Sequence, residues 1–213
     1  MDDETRWAAI ETERRSLAAL LSELTPEQWE AQSLCSEWRV RDVAAHVAMT
    51  PSGPKPGAIA IGLLRARGDL WAFGRDVARV HALRPTVHIV QELERDAAAR
   101  TMPAVTNARN ILMDALVHGQ DIAMPLGIER TMPLPAAVAG FERVWGMGWP
   151  FHARRRLRGL RLVATDAPVD VGAPAGSGTV VEGRVQDLLL LITGRTAAAA
   201  PRLRGQGVDL LPA

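Results

Sequence analysis

Apolar residues recur at helical spacing over positions 1–152 and alternate with polar ones beyond position 159, which predicts a helical body followed by a small mixed appendage. Trp7, Ile10, Leu17, Leu20, Leu21 and Leu24 share one face and predict a helix over 3–24, ended by Thr25-Pro26. Thr25 can cap a short turn with Pro26 at its first position, and Trp29 packs back from that turn. A helix over 39–49 turns Val40, Val43, Ala44 and Val47 inward and stops before Pro51, and the Pro/Gly-rich stretch 51–57 reads as a loop. Helical character resumes over 58–99, as two helices or as one interrupted near Pro85. A further helix over 104–123 is closed by Pro125 and Gly127, and another spans 135–148. Gly159 to Thr165, Val169 to Val171 and Thr179 to Val181 read as short strands. Arg184 to Ile192, with leucine at 188–191, reads as a last helix with Gly194 as its C′ residue. The expected division is a helical bundle over 1–152 and a small α+β domain over 153–213.

The helix over 104–123 carries the candidate chemistry. At about 100° per residue, Asn107, Asn110, Asp114, His118 and Asp121 form one narrow polar stripe. The rest of that helix is apolar, including Ile111, Leu112, Met113, Leu116, Val117 and Ile122. So wide an apolar arc suits a central helix, and a solvated stripe would carry Lys, Arg or Glu instead. A polar stripe on a buried helix needs partners. Asp114 and His118, four apart, can grip one cation. His46, at the edge of the apolar face of its helix beside Asp42 and Met49, is a candidate third ligand. His81, His88 and His152 read as surface or hydrogen-bonded residues, the commoner role of a lone histidine.

Composition narrows the function classes. Of 213 residues, 47% are apolar and 23% charged, so the chain can bury a sizeable core. A net charge of +1 favours neither nucleic acid nor an anionic membrane. Arg154, Arg155, Arg156 and Arg158 form a basic cluster without aromatic or Gly-rich companions, which reads as an exposed linker. The single cysteine, Cys35, rules out an internal disulfide and a Cys-rich zinc site. It sits before a helix with no histidine near it in sequence, and reads as a small buried residue. The opening residues lack a basic-then-apolar leader, no apolar run is long enough to span a membrane, and the expected location is the cytoplasm. With no Tyr, a phenolic acid or base is unavailable.

Four ordered segments carry a resemblance: Leu24-Thr-Pro-Glu-Gln-Trp29, Cys35-Ser-Glu-Trp-Arg-Val-Arg-Asp-Val-Ala-Ala-His46, Asp114-Ala-Leu-Val-His-Gly-Gln-Asp-Ile122, and Val181-Glu-Gly-Arg-Val-Gln-Asp-Leu-Leu-Leu-Leu-Ile-Thr-Gly-Arg195. Together they resemble the maleylpyruvate isomerase family of mycothiol-dependent enzymes, within the DinB/YfiT-like metal-binding four-helix bundles. The resemblance implies a divalent metal, usually zinc, held by His46, Asp114 and His118. It implies mycothiol as the thiol cosubstrate, and it makes Arg195 a candidate for binding a carboxylate of the substrate or thiol, against the alternative of a solvated helix-end arginine. Two positions depart from the family pattern. Asp114 stands where Glu is usual, one methylene shorter, which leaves ligation direct or through water. Arg39 stands where a Ser or Thr cap is common.

Two imidazoles and a carboxylate leave coordination positions open, as catalytic zinc sites do. The expected function is therefore a metal-dependent, thiol-using isomerase or transferase acting on a small electrophile. The alternative is a non-catalytic metal-binding stress or accessory protein of the same fold, since function resides in the site. A helical DNA-binding regulator would need a basic recognition helix, which the sequence lacks.

Overall fold

A computed structural model of the protein describes residues 1–53, 70–103, 106–174, 176 and 179–212, with backbone alone at 70–73. The end of the expected 51–57 loop and the expected resumption of helix at 58 lie outside the described residues. The protein is mainly helical, with a small sheet near its C-terminus, and it divides into two compact units, Asp2–Arg130 and Thr131–Ala213 with Met1.

The first unit contains α1 (Asp3–Ser22), α2 (Pro26–Glu30), α3 (Val40–Met49), α4 (Leu70–His81), α5 (Thr86–Arg95) and α6 (Ala108–Ala123). Helices α1 and α3 each pack against both α5 and α6, so these four close into a bundle, and α4 packs on α3. Ile10, Leu17 and Leu21 from α1, Val40 and Val43 from α3, Ile89 and Leu93 from α5, and Leu112, Leu116 and Ile122 from α6 are buried. The region over 70–99 forms two helices, with Pro85 directly before α5. As the periodicity suggests, α6 is central: from Ile111 to Ala123 every residue but Asp114 is buried.

Helix ends follow the polar residues beside them. Thr25 and Gln28 form a reciprocal capping box on α2. Asn107 accepts from the Asn110 amide at 3.1 Å, which starts α6 at Ala108 instead of 104. Arg39 has no capping hydroxyl, but the buried Asp42 accepts from the Arg39 amide at 2.9 Å and from its Nε at 3.2 Å.

Two arginines brace the bundle from inside. Arg14, 1% exposed, donates through Nη1 to the carbonyls of Ala97 at 3.2 Å and Ala99 at 2.9 Å, tying α1 to the turn after α5. Arg130 pairs with the buried Glu13 at 2.8 Å and passes across α6 at Gly119, where an added Cβ would lie 2.8 Å from its Nε.

The second unit contains α7 (Leu134–Gly146), α8 (Ala153–Arg156), β1 (Arg161–Ala164), β2 (Asp170–Gly172), β3 (Val180–Gly183), α9 (Val185–Ile192) and α10 (Thr196–Ala199). Its sheet order is β2-β1-β3, with Leu162 opposite Val171 in the antiparallel pair and opposite Val181 in the parallel pair. The contact boundary falls at 130/131, earlier than the expected 152/153. The reason is that α7 packs on α9, and the Met132 amide donates to Gln186 Oε1 at 3.2 Å. The arginine cluster is not simply an exposed linker either. Arg156 donates to the carbonyls of Leu191 at 3.1 Å and Ile192 at 3.4 Å, satisfying the end of α9, and Arg154 lies over the Trp145 ring at 5.7 Å. Gly194 takes the positive φ expected of a C′ residue, +91°. Among the described residues, no helix is long and apolar enough to cross a membrane.

Candidate metal centre

Packing of α3 on α6 brings His46, from the last turn of α3, against Asp114 and His118 on successive turns of α6. Asp114 bridges the two imidazoles: Oδ2 lies 3.1 Å from His46 Nε2 and Oδ1 lies 3.3 Å from His118 Nε2. One ligand atom from each residue falls within 4.8 Å of the others. His46 and Asp114 side chains are 29% and 28% exposed, so small molecules can reach them, while His118 is 11% exposed.

His118 is held from its buried side. Its Nδ1 lies 2.8 Å from Oδ2 of Asp121, whose side chain is fully buried. Cys35 Sγ donates to the same Oδ2 at 3.1 Å and lies 4.0 Å from His118 Nδ1. The Leu34 amide donates to the Asp121 carbonyl at 3.1 Å, fixing this segment on α6. An imidazole whose Nδ1–H is given to a carboxylate presents its Nε2 lone pair to a metal, the usual arrangement behind a metal-bound histidine. Cys35, half-buried where the sequence suggested a buried residue, therefore has the histidine neighbour that its sequence context lacks, and it donates to Asp121.

Trp38 walls the site. Its ring centroid lies 5.1 Å from that of His46 and 5.9 Å from that of His118, while the two imidazoles meet edge to face at 5.0 Å. Its buried Nε1 has no hydrogen-bond partner.

Burial pushes the Asp114 carboxyl up, but the charges of His118 and His46 and their hydrogen bonds outweigh it and hold Asp114 well below the usual carboxylate range. Burial likewise opposes a charged His118, yet the Asp114 carboxylate and hydrogen bonds from Asp114, Asp121 and Cys35 raise it well above the usual imidazole value. A cation placed among these atoms would take over the role of those imidazole protons. Two imidazoles and one carboxylate, solvent-accessible on one side and braced on the other, fit a divalent ion.

Of the four expected site residues, His46, Asp114 and His118 come together. Arg195 belongs to the C-terminal unit, where it precedes α10 and its Nη1 donates to the Thr193 carbonyl at 2.8 Å. His81 lies 2.7 Å from the buried Glu92, a hydrogen-bonded role in keeping with its sequence reading. Asp121 was visible as a member of the polar stripe, three residues after His118. The roles of Cys35 and Trp38 depend on long-range packing.

A four-helix bundle with a His–Asp–His donor set across two packed helices defines a candidate metal-binding class. Residues 10–56, which contain Cys35, Trp38 and His46, match the family model described as the mycothiol maleylpyruvate isomerase N-terminal domain. No curated protein matches the chain. A crystal structure of a histidine-to-alanine variant of the mycothiol-dependent maleylpyruvate isomerase aligns with a TM-score of 0.58 and 16% identity, over 92% of this chain and 90% of that one. A second crystal structure of the mycothiol-dependent maleylpyruvate isomerase aligns with a TM-score of 0.51 and 19% identity, over the same shares of each chain. The fold is thus shared with these structures along nearly the whole chain, and the family match supports the resemblance carried by the four motifs.

Proposed function

We propose that the protein is a cytoplasmic metal-dependent enzyme that uses a low-molecular-weight thiol, mycothiol, to isomerise or conjugate a small electrophile. The observation that carries this reading is the convergence of His46, Asp114 and His118 on one ion-sized position. The family match over 10–56 and the shared fold support the thiol and the isomerase chemistry.

When bound, a divalent ion supplies positive charge that favours the deprotonated form of an incoming thiol. His46, Asp114 and His118 would hold it, and Asp121 keeps His118 turned with Nε2 toward it. The Trp38 ring covers one side of the imidazoles and keeps water from that side. Cys35 donates a hydrogen bond to the buried Asp121 carboxylate, and in this proposal the nucleophile comes from outside the chain. Arg195 is the proposed contact for a carboxylate of substrate or thiol.

Elemental analysis of the purified protein, followed by a screen for thiol-dependent turnover of electrophiles, tests the proposal. About one divalent ion per chain is expected, with His46→Ala and His118→Ala each stripping it. Turnover should require added thiol and survive Cys35→Ala. Full metal occupancy in both histidine variants would overturn the ligand assignment. Metal without any thiol-dependent turnover would favour the non-catalytic binding protein.

A further inference from the structure

The C-terminal unit contains a cavity of about 460 Å³ lined in part by Thr165, Glu182, Arg184, Asp187, Arg202 and Arg204. The local chain path explains it. β1 and β3 run parallel, so their carboxyl ends finish side by side, and the Thr165 amide donates to the Gly183 carbonyl at 2.9 Å. α9 starts directly after β3, which places its N-terminus at that same end. The returning chain closes the third side, where Glu182 and Arg204 exchange backbone hydrogen bonds of 2.8 Å. A crevice beyond the carboxyl ends of parallel strands, at a helix N-terminus, is a common place for a ligand.

Two observations on the side chains point to an occupant. Three arginines, Arg184, Arg202 and Arg204, line the cavity. Among the described residues, no ion pair involves Arg184 or Arg204, and Arg202 reaches Asp187 only at 3.9 Å. Asp187 itself is 6% exposed, and its Oδ1 has no hydrogen-bond partner. It is not needed to cap α9, because the Val185 amide donates to Asp166 Oδ1 at 2.8 Å. A buried carboxylate oxygen without a donor calls for one.

We infer that this cavity binds a small oxyanion bearing a neighbouring hydroxyl, either a hydroxycarboxylate or a polyol phosphate. The guanidinium groups of Arg184, Arg202 and Arg204 hold the anionic oxygens, and the ligand hydroxyl donates to Asp187 Oδ1. With three arginines against Glu182 and Asp187, the lining carries one net positive charge, which suits an anion over a zwitterion whose ammonium would meet the arginines. The volume falls within the range of small-molecule sites. The site lies wholly in the C-terminal unit and stands independently of the metal reading.

Titration calorimetry on the full chain, with L-malate and succinate as one pair and glycerol 3-phosphate and inorganic phosphate as the other, tests it. In each pair the hydroxylated member should bind about tenfold more tightly, the worth of one well-placed hydrogen bond. The tighter pair identifies whether the anion is carboxylate or phosphate. Arg184→Ala and Arg204→Ala, both at exposed positions, should weaken all four ligands about tenfold or more. Asp187→Ala should erase the preference for the hydroxylated members while succinate and phosphate bind at least as well as before, since a negative charge has gone. Absence of binding by all four, equal binding within both pairs in the unaltered protein, or unchanged affinities in both arginine variants would overturn the assignment.

Discussion

Asp114 in the helical unit and Asp187 in the C-terminal unit are both carboxylates on helices with basic side chains nearby, and their acidities move in opposite directions. Burial pushes both up. Asp114 is pulled back far below the usual range because two imidazole nitrogens approach its oxygens at 3.1 and 3.3 Å. Asp187 stays raised, because Arg202 approaches one oxygen only at 3.9 Å and that oxygen has no hydrogen bond. Direct, directional partners turn a half-buried carboxylate into a stable anion. A more distant guanidinium and one side-chain amide do not offset burial at Asp187.

The largest expected effect is at Asp114. Asp114→Asn keeps the shape and removes the anion, and should weaken metal binding on the order of a thousandfold if the carboxylate ligates directly. Asp114→Glu, which restores the family's usual length, should be tolerated much better. A loss of only tenfold to a hundredfold in the Asn variant would instead mark a water-bridged carboxylate. Dissociation constants by competition with a chromophoric chelator separate the cases.

Next is Arg14, a buried guanidinium of the helical unit. Arg14→Ala leaves the carbonyls of Ala97 and Ala99 without their donor and should lower stability by about 3 kcal/mol, read as a shift of the urea midpoint. A change under about 0.5 kcal/mol would show that water replaces the guanidinium there.

Asp121 lies behind the candidate metal centre, against His118 Nδ1. Asp121→Asn should weaken metal binding tenfold to a hundredfold by loosening the orientation of His118, and Asp121→Glu should not restore it in so tight a space. An unchanged dissociation constant in the Asn variant would reduce Asp121 to a packing residue.

The smallest effect belongs to Asp187. A carboxyl raised in the folded state binds more protons there than in the unfolded chain, so its contribution to stability is fully present below the unfolded value of about 3.9 and is lost as pH rises through the folded value. Asp187→Asn removes that loss. Relative to the unaltered protein, the variant should gain stability between about pH 4 and pH 7, by less than about 1 kcal/mol, in urea unfolding at the two pH values. Parallel changes in the two proteins would contradict the shift.

Much of this arrangement was legible in the sequence, for reasons specific to certain residues. The stripe of Asn107, Asn110, Asp114, His118 and Asp121 has a fixed 3.6-residue period, so a central helix with its polar atoms on one side could be read directly. Gly194 and the Thr25-Pro26 pair mark their helix ends through backbone constraints that act locally. The boundary at 130/131 was not legible, because the helical spacing of α7 is the same whether it packs on a bundle or on α9. Nor were the places of Cys35 and Arg156, which are set by contacts 86 and 35 or 36 residues away in the chain. Arg39 stood out as a missing cap, and the answer lay three residues on in Asp42, which supplies the carboxylate from inside the helix.

His46, Asp114 and His118 are proposed to hold a metal ion that an external thiol can reach. The most direct measurement is the absorption spectrum of the cobalt-loaded protein as a low-molecular-weight thiol is added, in the unaltered chain and in Cys35→Ala. The account predicts a new sulfur-to-cobalt charge-transfer band that grows with added thiol and is the same in both proteins. A spectrum indifferent to thiol, or a sulfur band present before thiol is added and lost in Cys35→Ala, would contradict it.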